Sequence, residues 1–253
     1  MAQAFIILLS LALGSFSNNV ISFFWGSSPF DVKRSLCMCG ERELKAKELI
    51  PVLSFMMQKG KCINCRKAIP NRYVIVEILS LFIGIITYYT YGLTVNMALH
   101  YAFFMTLFII GMVDLKKLII PNLLVIVLFM LSSVKLVMYS GSFWANIISA
   151  VSLGSLFMLV NYLGSMLKGK NLIGPGDIKL IMVMTLFMDF PVSLLALWSS
   201  ALIAIPGYYT IRQFNNELKL KTLVPFGFFM AIGYTFTELF SFYIFKLAFS
   251  LRF

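Results

Sequence analysis

Two aspartates, each at the edge of an apolar run, are the residues of this sequence best placed to do chemistry. Asp114 follows the run FIIGMV, and Asp177 precedes the run IKLIMVMTLFM. Acidic side chains at the border of hydrocarbon are costly and are functional candidates by default. Two carboxyl groups held close together cannot both ionise easily, so one keeps a proton. The ionised group can then accept a proton from water while the other polarises an amide carbonyl, which is the chemistry of non-covalent peptide hydrolysis.

The turn before Asp177 suits a peptide substrate, because it carries Gly174 and Gly176 around a proline. Glycine lets backbone approach closely, so an extended peptide could run beside Asp177. Simpler roles are also open. Asp177 could cap the helix that follows it, and Asp114 could pair with a neighbouring lysine. The residues alone leave both interpretations standing.

Four cysteines form a second candidate site. Cys37 and Cys39 form a C-x-C pair, and 22 residues later Cys62 and Cys65 form a C-x-x-C pair. Four thiolates in two close pairs favour a structural Zn²⁺. A metal is also a common way to stabilise so small an insertion. Reduced cysteines without a metal are the alternative, and a disulfide is disfavoured in the cytosol.

The composition indicates a membrane protein. The 253 residues are 60% hydrophobic and 12% charged, with a mean hydropathy of +0.91, whereas a soluble domain has about 25% charged residues. The net charge is +11, but ten of the 21 Lys and Arg lie between Lys33 and Arg72, and most others lie in short gaps between apolar runs. This is the positive-inside pattern of a polytopic membrane protein, and it predicts lipid rather than nucleic acid as the surrounding partner.

Eight apolar runs predict an all-α polytopic membrane protein with about eight transmembrane helices. If the N-terminus is external, alternating the runs places 18 basic residues on the cytosolic side and three outside. Both aspartates then lie near the cytosolic face at similar depth. The predicted spans are 4–24, 73–91, 97–114, 121–139, 143–167, 177–190, 192–211 and 223–248.

The predicted domain organisation follows from these spans. Residues 1–24 are expected to form the first transmembrane helix, kept as an uncleaved anchor because no basic residue precedes it. Residues 25–72 are expected to form a cytosolic insertion that holds the cysteines. Residues 73–253 are expected to form the transmembrane bundle that holds both aspartates.

Four stretches of the chain resemble a known family. GPGD matches the G-x-G-D motif of intramembrane aspartyl proteases, and three more stretches are similar to one branch of that class, the type IV prepilin peptidases. The three are GSFSNNVISFF, GKCINCRKAIPNRYVIVE and DLKKLIIPN. The resemblance implies that Asp114 and Asp177 are the catalytic pair and that Gly174 and Gly176 support the catalytic turn. The family usually has two C-x-x-C pairs, whereas SLCMCG is one residue shorter.

The resemblance also implies an activity and a location. It implies an endopeptidase in the bacterial inner membrane, with its active site facing the cytosol, which cleaves basic leader peptides from type IV prepilin or pseudopilin substrates. Many family members also N-methylate the new N-terminus with S-adenosylmethionine. No Gly-rich turn after a strand pattern predicts a methyl-donor site here. The alternatives are a transporter with gating carboxylates and a non-catalytic secretion-assembly subunit. The sequence makes no prediction of the oligomeric state.

A few other polar residues lie inside the apolar runs. Glu77 is expected either to form an ion pair with Arg72 or another basic neighbour, or to serve a substrate or cofactor, since the resembling family has an acidic residue at this position. Glu238 is expected to form a hydrogen bond to another helix, and Asn18 to bridge two helices. His100, the single histidine, is expected to be structural because it lies a membrane thickness from the aspartates.

Overall fold

The computed structural model describes residues 2–26, 43–139, 141–169, 172–214 and 224–250. In these residues the chain is helical, with no extended strand and with one isolated β-bridge. The protein is an all-α polytopic membrane protein, as the composition predicts.

The helices coincide with the eight predicted spans, and every bound lies within three residues of its predicted position. Two short helical elements lie in the predicted insertion: a 3₁₀ helix at Ala46–Leu49 and an α-helix at Leu53–Met57. The α-helices of the described chain are α1 (Ala2–Phe24), α2 (Leu53–Met57), α3 (Arg72–Tyr91), α4 (Val95–Lys117), α5 (Asn122–Tyr139), α6 (Phe143–Lys168), α7 (Pro175–Phe187), α8 (Val192–Phe214) and α9 (Phe226–Ser250).

Six of these helices are long and apolar enough to cross a bilayer: α1, α3, α4, α5, α6 and α8. Helix α7 has only 13 residues and is therefore about 20 Å long, against a hydrocarbon thickness of about 30 Å. That α7 and α9 also cross the membrane remains a prediction.

The described chain divides into two compact units, Met1–Leu93 and Thr94–Phe253. This division differs from the predicted one, because α3 packs against α1 in the first unit. The two helices run antiparallel, since Ser80 contacts Ser10 near one end and Asn18 contacts Tyr73 near the other. The Asn18 amide donates to the Tyr73 carbonyl at 3.0 Å, so it bridges two helices as predicted.

Helix α7 lies in the core of the second unit, where it packs against α5 and α6. Most of its residues are buried, and Leu180, Ile181 and Met184 are fully buried. One narrow face is not buried, and it is formed by Lys179, Met182 and Leu186. A helix that is apolar over most of its surface in this way belongs inside a bundle. Helices α5, α6 and α8 instead expose large apolar side chains, such as Phe129 and Trp198, which suits contact with lipid.

Candidate active site

Asp114 lies in the last turn of α4, and its carboxylate is buried, with 5% of the residue exposed. The helix continues past it to Lys117 and ends at Leu118 in the left-handed conformation (φ 58°). Asp114 was expected at the end of its span, but it is one turn inside it. This position turns the side chain into the bundle rather than toward the surface.

The carboxylate of Asp114 contacts the start of α9. The backbone N–H of Phe228 donates to Asp114 Oδ2 at 3.3 Å, and the backbone N–H of Gly227 donates to the same carboxylate. The first N–H groups of a helix have no partner inside that helix. Asp114 therefore caps α9 from a different helix, and the positive end of the α9 dipole favours its negative charge.

Asp177 lies in the first turn of α7 and is half-buried. The N-cap of this helix is Gly174, with Pro175 as the first helical residue, a position that proline favours. The alternative in which Asp177 is itself the N-cap is therefore wrong, although its carboxylate does take part in capping. It is the third helical residue, and its carboxylate accepts from the backbone N–H of Gly174, as the acidic member of a capping box does.

The structure brings the two aspartates together. Asp177 lies close enough to Asp114 for its charge to act on that carboxylate, although the two residues lie on different helices. The side chain of Ile120 lies between the glycines next to them. A Cβ added at Gly176 would lie 3.1 Å from Ile120 Cβ, and one added at Gly227 would lie 3.3 Å from Ile120 Cδ1.

Helix α6 holds the turn that precedes Asp177. The side-chain oxygen of Asn161 accepts from the backbone N–H groups of Leu172 and Ile173, at 2.9 and 3.2 Å. Leu172 packs so closely on Gly164 that a Cβ there would meet it. Asn161 therefore anchors the loop to α6 by accepting from two of its backbone N–H groups.

Comparison with known proteins covers both units. A profile of the Bacterial Peptidase A24 N-terminal domain matches residues 8–91, and a profile of the Type IV leader peptidase family matches residues 101–208. A prepilin leader peptidase/N-methyltransferase of Vibrio cholerae is 32% identical over 194 residues, which cover 68% of this chain and 72% of that protein. The chain belongs to the type IV leader peptidase family.

Two further relatives carry the same name. The protein of Pseudomonas putida is 30% identical over 200 residues, covering 77% of this chain and 67% of that protein. The protein of Bacillus subtilis is 29% identical over 201 residues, covering 79% of each. No solved structure matches the chain. The predicted resemblance to this family is confirmed.

The two family profiles divide the chain where its structure divides. The N-terminal profile falls within the first unit, and the leader peptidase profile falls within the second. The second profile contains both aspartates, and the first contains the cysteines.

The structure describes only two of the four cysteines of the predicted zinc site. Cys62 and Cys65 lie on one tight turn, which is closed by a hydrogen bond from the Cys62 N–H to the Lys67 carbonyl at 2.9 Å. Cys37 and Cys39 lie outside the described residues. Residues 43–139, 141–169 and the other described stretches contain no group of three or more potential metal ligands. The turn fits one half of a tetrathiolate site, and zinc binding stays a prediction.

Glu77 has different partners from those expected. Its carboxylate accepts from the backbone N–H of Val52 at 2.7 Å and from Ser15. Arg72 instead donates to the Ser22 hydroxyl at 2.8 Å. The alternative of an ion pair between Arg72 and Glu77 is therefore wrong in this structure, and Glu77 ties the insertion segment to α1 and α3.

His100 and Glu238 form a buried pair between α4 and α9, with His100 Nε2 3.4 Å from Glu238 Oε1. The interhelical bond expected of Glu238 is thus present. His100 lies 14 residues before Asp114 on α4, or about 21 Å along the helix. This separation agrees with a structural role for His100.

Sequence reasoning missed three residues of the site: Gly227, Ile120 and Asn161. An asparagine inside an apolar span is a usable signal, because a polar amide in a bilayer needs a partner. The glycine of VPFGF at the start of the last span is a weaker signal. Only the approach of α9 to α4 shows what this glycine does.

Proposed function

We propose that this chain is a membrane-embedded aspartyl endopeptidase that removes the basic leader of type IV prepilins or pseudopilins. Asp114 and Asp177 form its catalytic pair, at the cytosolic face of the bacterial inner membrane. Membership in the type IV leader peptidase family and the names of the relatives support this function. One observation of the site supports the assignment: Gly176, next to Asp177, and Gly227, beside the Asp114 carboxylate, both pack against Ile120.

The proposed reaction needs one ionised and one protonated carboxyl group. Two carboxyl groups held close together oppose double ionisation, so the proposed pair shares one proton and titrates as a unit. The ionised group accepts a proton from water, whose oxygen attacks the scissile carbonyl carbon. The protonated group donates to the carbonyl oxygen. The tetrahedral intermediate then collapses, the C–N bond breaks, and the leaving nitrogen takes a proton to become the new N-terminal amine.

The position of the pair suits a substrate with a polar leader and an apolar helix. Such a helix would lie in lipid beside the exposed apolar faces of the bundle. The scissile bond would then lie at the border of the membrane, where the first turn of α7 and the last turn of α4 are expected. The glycine turn before Asp177 leaves room for the substrate backbone.

We infer that the same chain methylates the new amine, because its relatives are named N-methyltransferases. S-adenosylmethionine would supply the methyl group. The described residues contain no strand followed by a Gly-rich turn, and no side chain is assigned to the donor.

We infer further that Cys62 and Cys65, with Cys37 and Cys39, hold a structural zinc ion. The short Cys62–Cys65 turn, closed by backbone hydrogen bonds, is compatible with this role because it keeps the two cysteines near each other. The ion would stabilise the insertion and would take no part in the hydrolysis.

Family membership does not favour the transporter or the non-catalytic assembly subunit. The capping interactions that the second alternative requires are present at both aspartates. Capping and catalysis are compatible, because the same N–H groups that cap a helix hold a carboxylate in place.

The proposal is tested with purified protein and a full-length prepilin that carries its leader. Mass spectrometry of the product should show cleavage at one bond and a mass increase of one methyl group when S-adenosylmethionine is present. Sealed inverted vesicles should cleave prepilin added outside, and sealed spheroplasts should not. Intact prepilin after incubation with folded protein would contradict the proposal.

A further inference from the structure

Each aspartate is held by the backbone N–H of a glycine that has no room for a side chain. At Asp177 this glycine is Gly174, which belongs to the G-x-G-D motif. A Cβ added there would lie 2.9 Å from Asp177 Oδ2. Gly174 has a φ of −65°, which any residue can adopt, so space rather than backbone conformation requires a glycine.

The same arrangement occurs at Asp114, 113 residues away from its glycine in sequence. Gly227, the second residue of α9, donates its backbone N–H to the Asp114 carboxylate. A Cβ added at Gly227 would lie 3.0 Å from Asp114 Oδ2 and 3.2 Å from its Cγ. Any side chain at this position would push the carboxylate away from the start of α9.

We propose that Gly227 is the positioning residue of Asp114, the counterpart of Gly174 at Asp177. Its N–H and that of Phe228 fix the carboxylate, and its missing side chain leaves the space in which that carboxylate faces Asp177. The inference rests on the proposed function, because it assigns Gly227 to a pair whose catalytic role is itself proposed.

The competing explanation is that position 227 requires a glycine only because α4 packs closely on α9. Gly111 provides a matched control for it, because it lies on the same helix interface one turn before Asp114. A Cβ added at Gly111 would lie 3.2 Å from Ala231 Cβ and 3.3 Å from Phe228 Cα, without touching a carboxylate. Alanine has a higher helix propensity than glycine. A loss of activity in either variant would therefore not come from helix propensity.

The first experiment compares cleavage kinetics of Gly227→Ala and Gly111→Ala. A Cβ at Gly227 would shift the carboxylate by a few tenths of an ångström, and a shift of about 1 Å in a catalytic group can cost about 100-fold in rate. We expect Gly227→Ala to lower kcat by about tenfold with KM unchanged, while Gly111→Ala, which presses on the Phe228 backbone but on no carboxylate, loses clearly less. A kcat for Gly227→Ala equal to that of Gly111→Ala would overturn the inference.

The second experiment keeps the test open if Gly227→Ala folds poorly. Thermal midpoints in detergent are measured for Gly227→Ala in the wild-type and in the Asp114→Ala background. Asp114→Ala removes the two nearest atoms, so Gly227→Ala should lower the midpoint in the first background and far less in the second. An equal loss in both backgrounds would assign Gly227 to packing alone and reject the inference.

A parallel Asp114→Asn assay separates the inference from the function on which it rests. If Asp114→Asn still cleaves, the proposed catalytic pair is wrong whatever Gly227 does. If Asp114→Asn is inactive while Gly227→Ala cleaves like wild type, the pair stands and only the role of Gly227 is wrong.

Discussion

The backbone N–H of Phe228 donates to the carboxylate of Asp114 at 3.3 Å, across 114 residues of sequence. This contact joins the last turn of α4 to the first turn of α9. It places the Asp114 carboxylate at the positive end of a helix dipole, and Asp177 occupies the corresponding position in its own helix, α7. Both carboxylates are therefore fixed by backbone, which limits their motion before a substrate binds.

The cleavage rate should depend on pH in a bell shape. At low pH both carboxyl groups carry protons, so no group remains to accept a proton from water. At high pH both are ionised, so no group can donate to the carbonyl oxygen. Measured kcat against pH, with protein stability checked at each point, should fall on both sides of one maximum. A rate that rises to a plateau would show that only one carboxyl group titrates in the reaction.

Asn161→Leu should slow cleavage without unfolding the protein. The leucine leaves the N–H groups of Leu172 and Ile173 without an acceptor, and the loop before Gly174 loses its anchor on α6. One lost hydrogen bond of about 1.4 kcal/mol corresponds to about tenfold in rate. The control is Ser155→Ala, also on α6, whose hydroxyl bonds only within its own helix. Equal cleavage rates for the two variants would show that Asn161 does not support the active site.

The prediction from sequence succeeds where a property is local. Apolar length alone located the helices, including the break between α7 and α8. It fails where an interaction joins distant segments. Gly227 and Asn161 contact the site only after α9 and α6 pack, and Arg72 bonds Ser22 rather than Glu77.

Lys135→Met should lower the thermal midpoint. The Lys135 ammonium donates to the Phe187 carbonyl at the end of α7 at 2.6 Å, and Lys135 is only 7% exposed. The substitution leaves that carbonyl unsatisfied and removes a positive charge from the negative end of the helix. The expected loss is about 1–3 kcal/mol. Lys179→Met is the control, because the bond from Lys179 to Asn122 is exposed; it should change the midpoint little.

Purified protein should contain about one zinc ion per chain, as a tetrathiolate site requires. Cys62→Ser and Cys65→Ser should each lose most of that zinc in elemental analysis after dialysis. Ser54→Ala, in the neighbouring α2, serves as the control and should keep the metal. Wild-type protein without zinc after purification in metal-replete buffer would contradict the prediction.

The central claim is tested most directly by the rates of Asp114→Asn and Asp177→Asn on a full-length prepilin. Asp189→Asn is the matched control, because Asp189 accepts from Asn146 at 2.8 Å beyond the other end of α7. With equal amounts of folded protein, the first two variants should lose about 100- to 10,000-fold in rate, and the control should keep most of its activity. Cleavage at the wild-type rate by either of the first two would show that the pair does not catalyse the reaction.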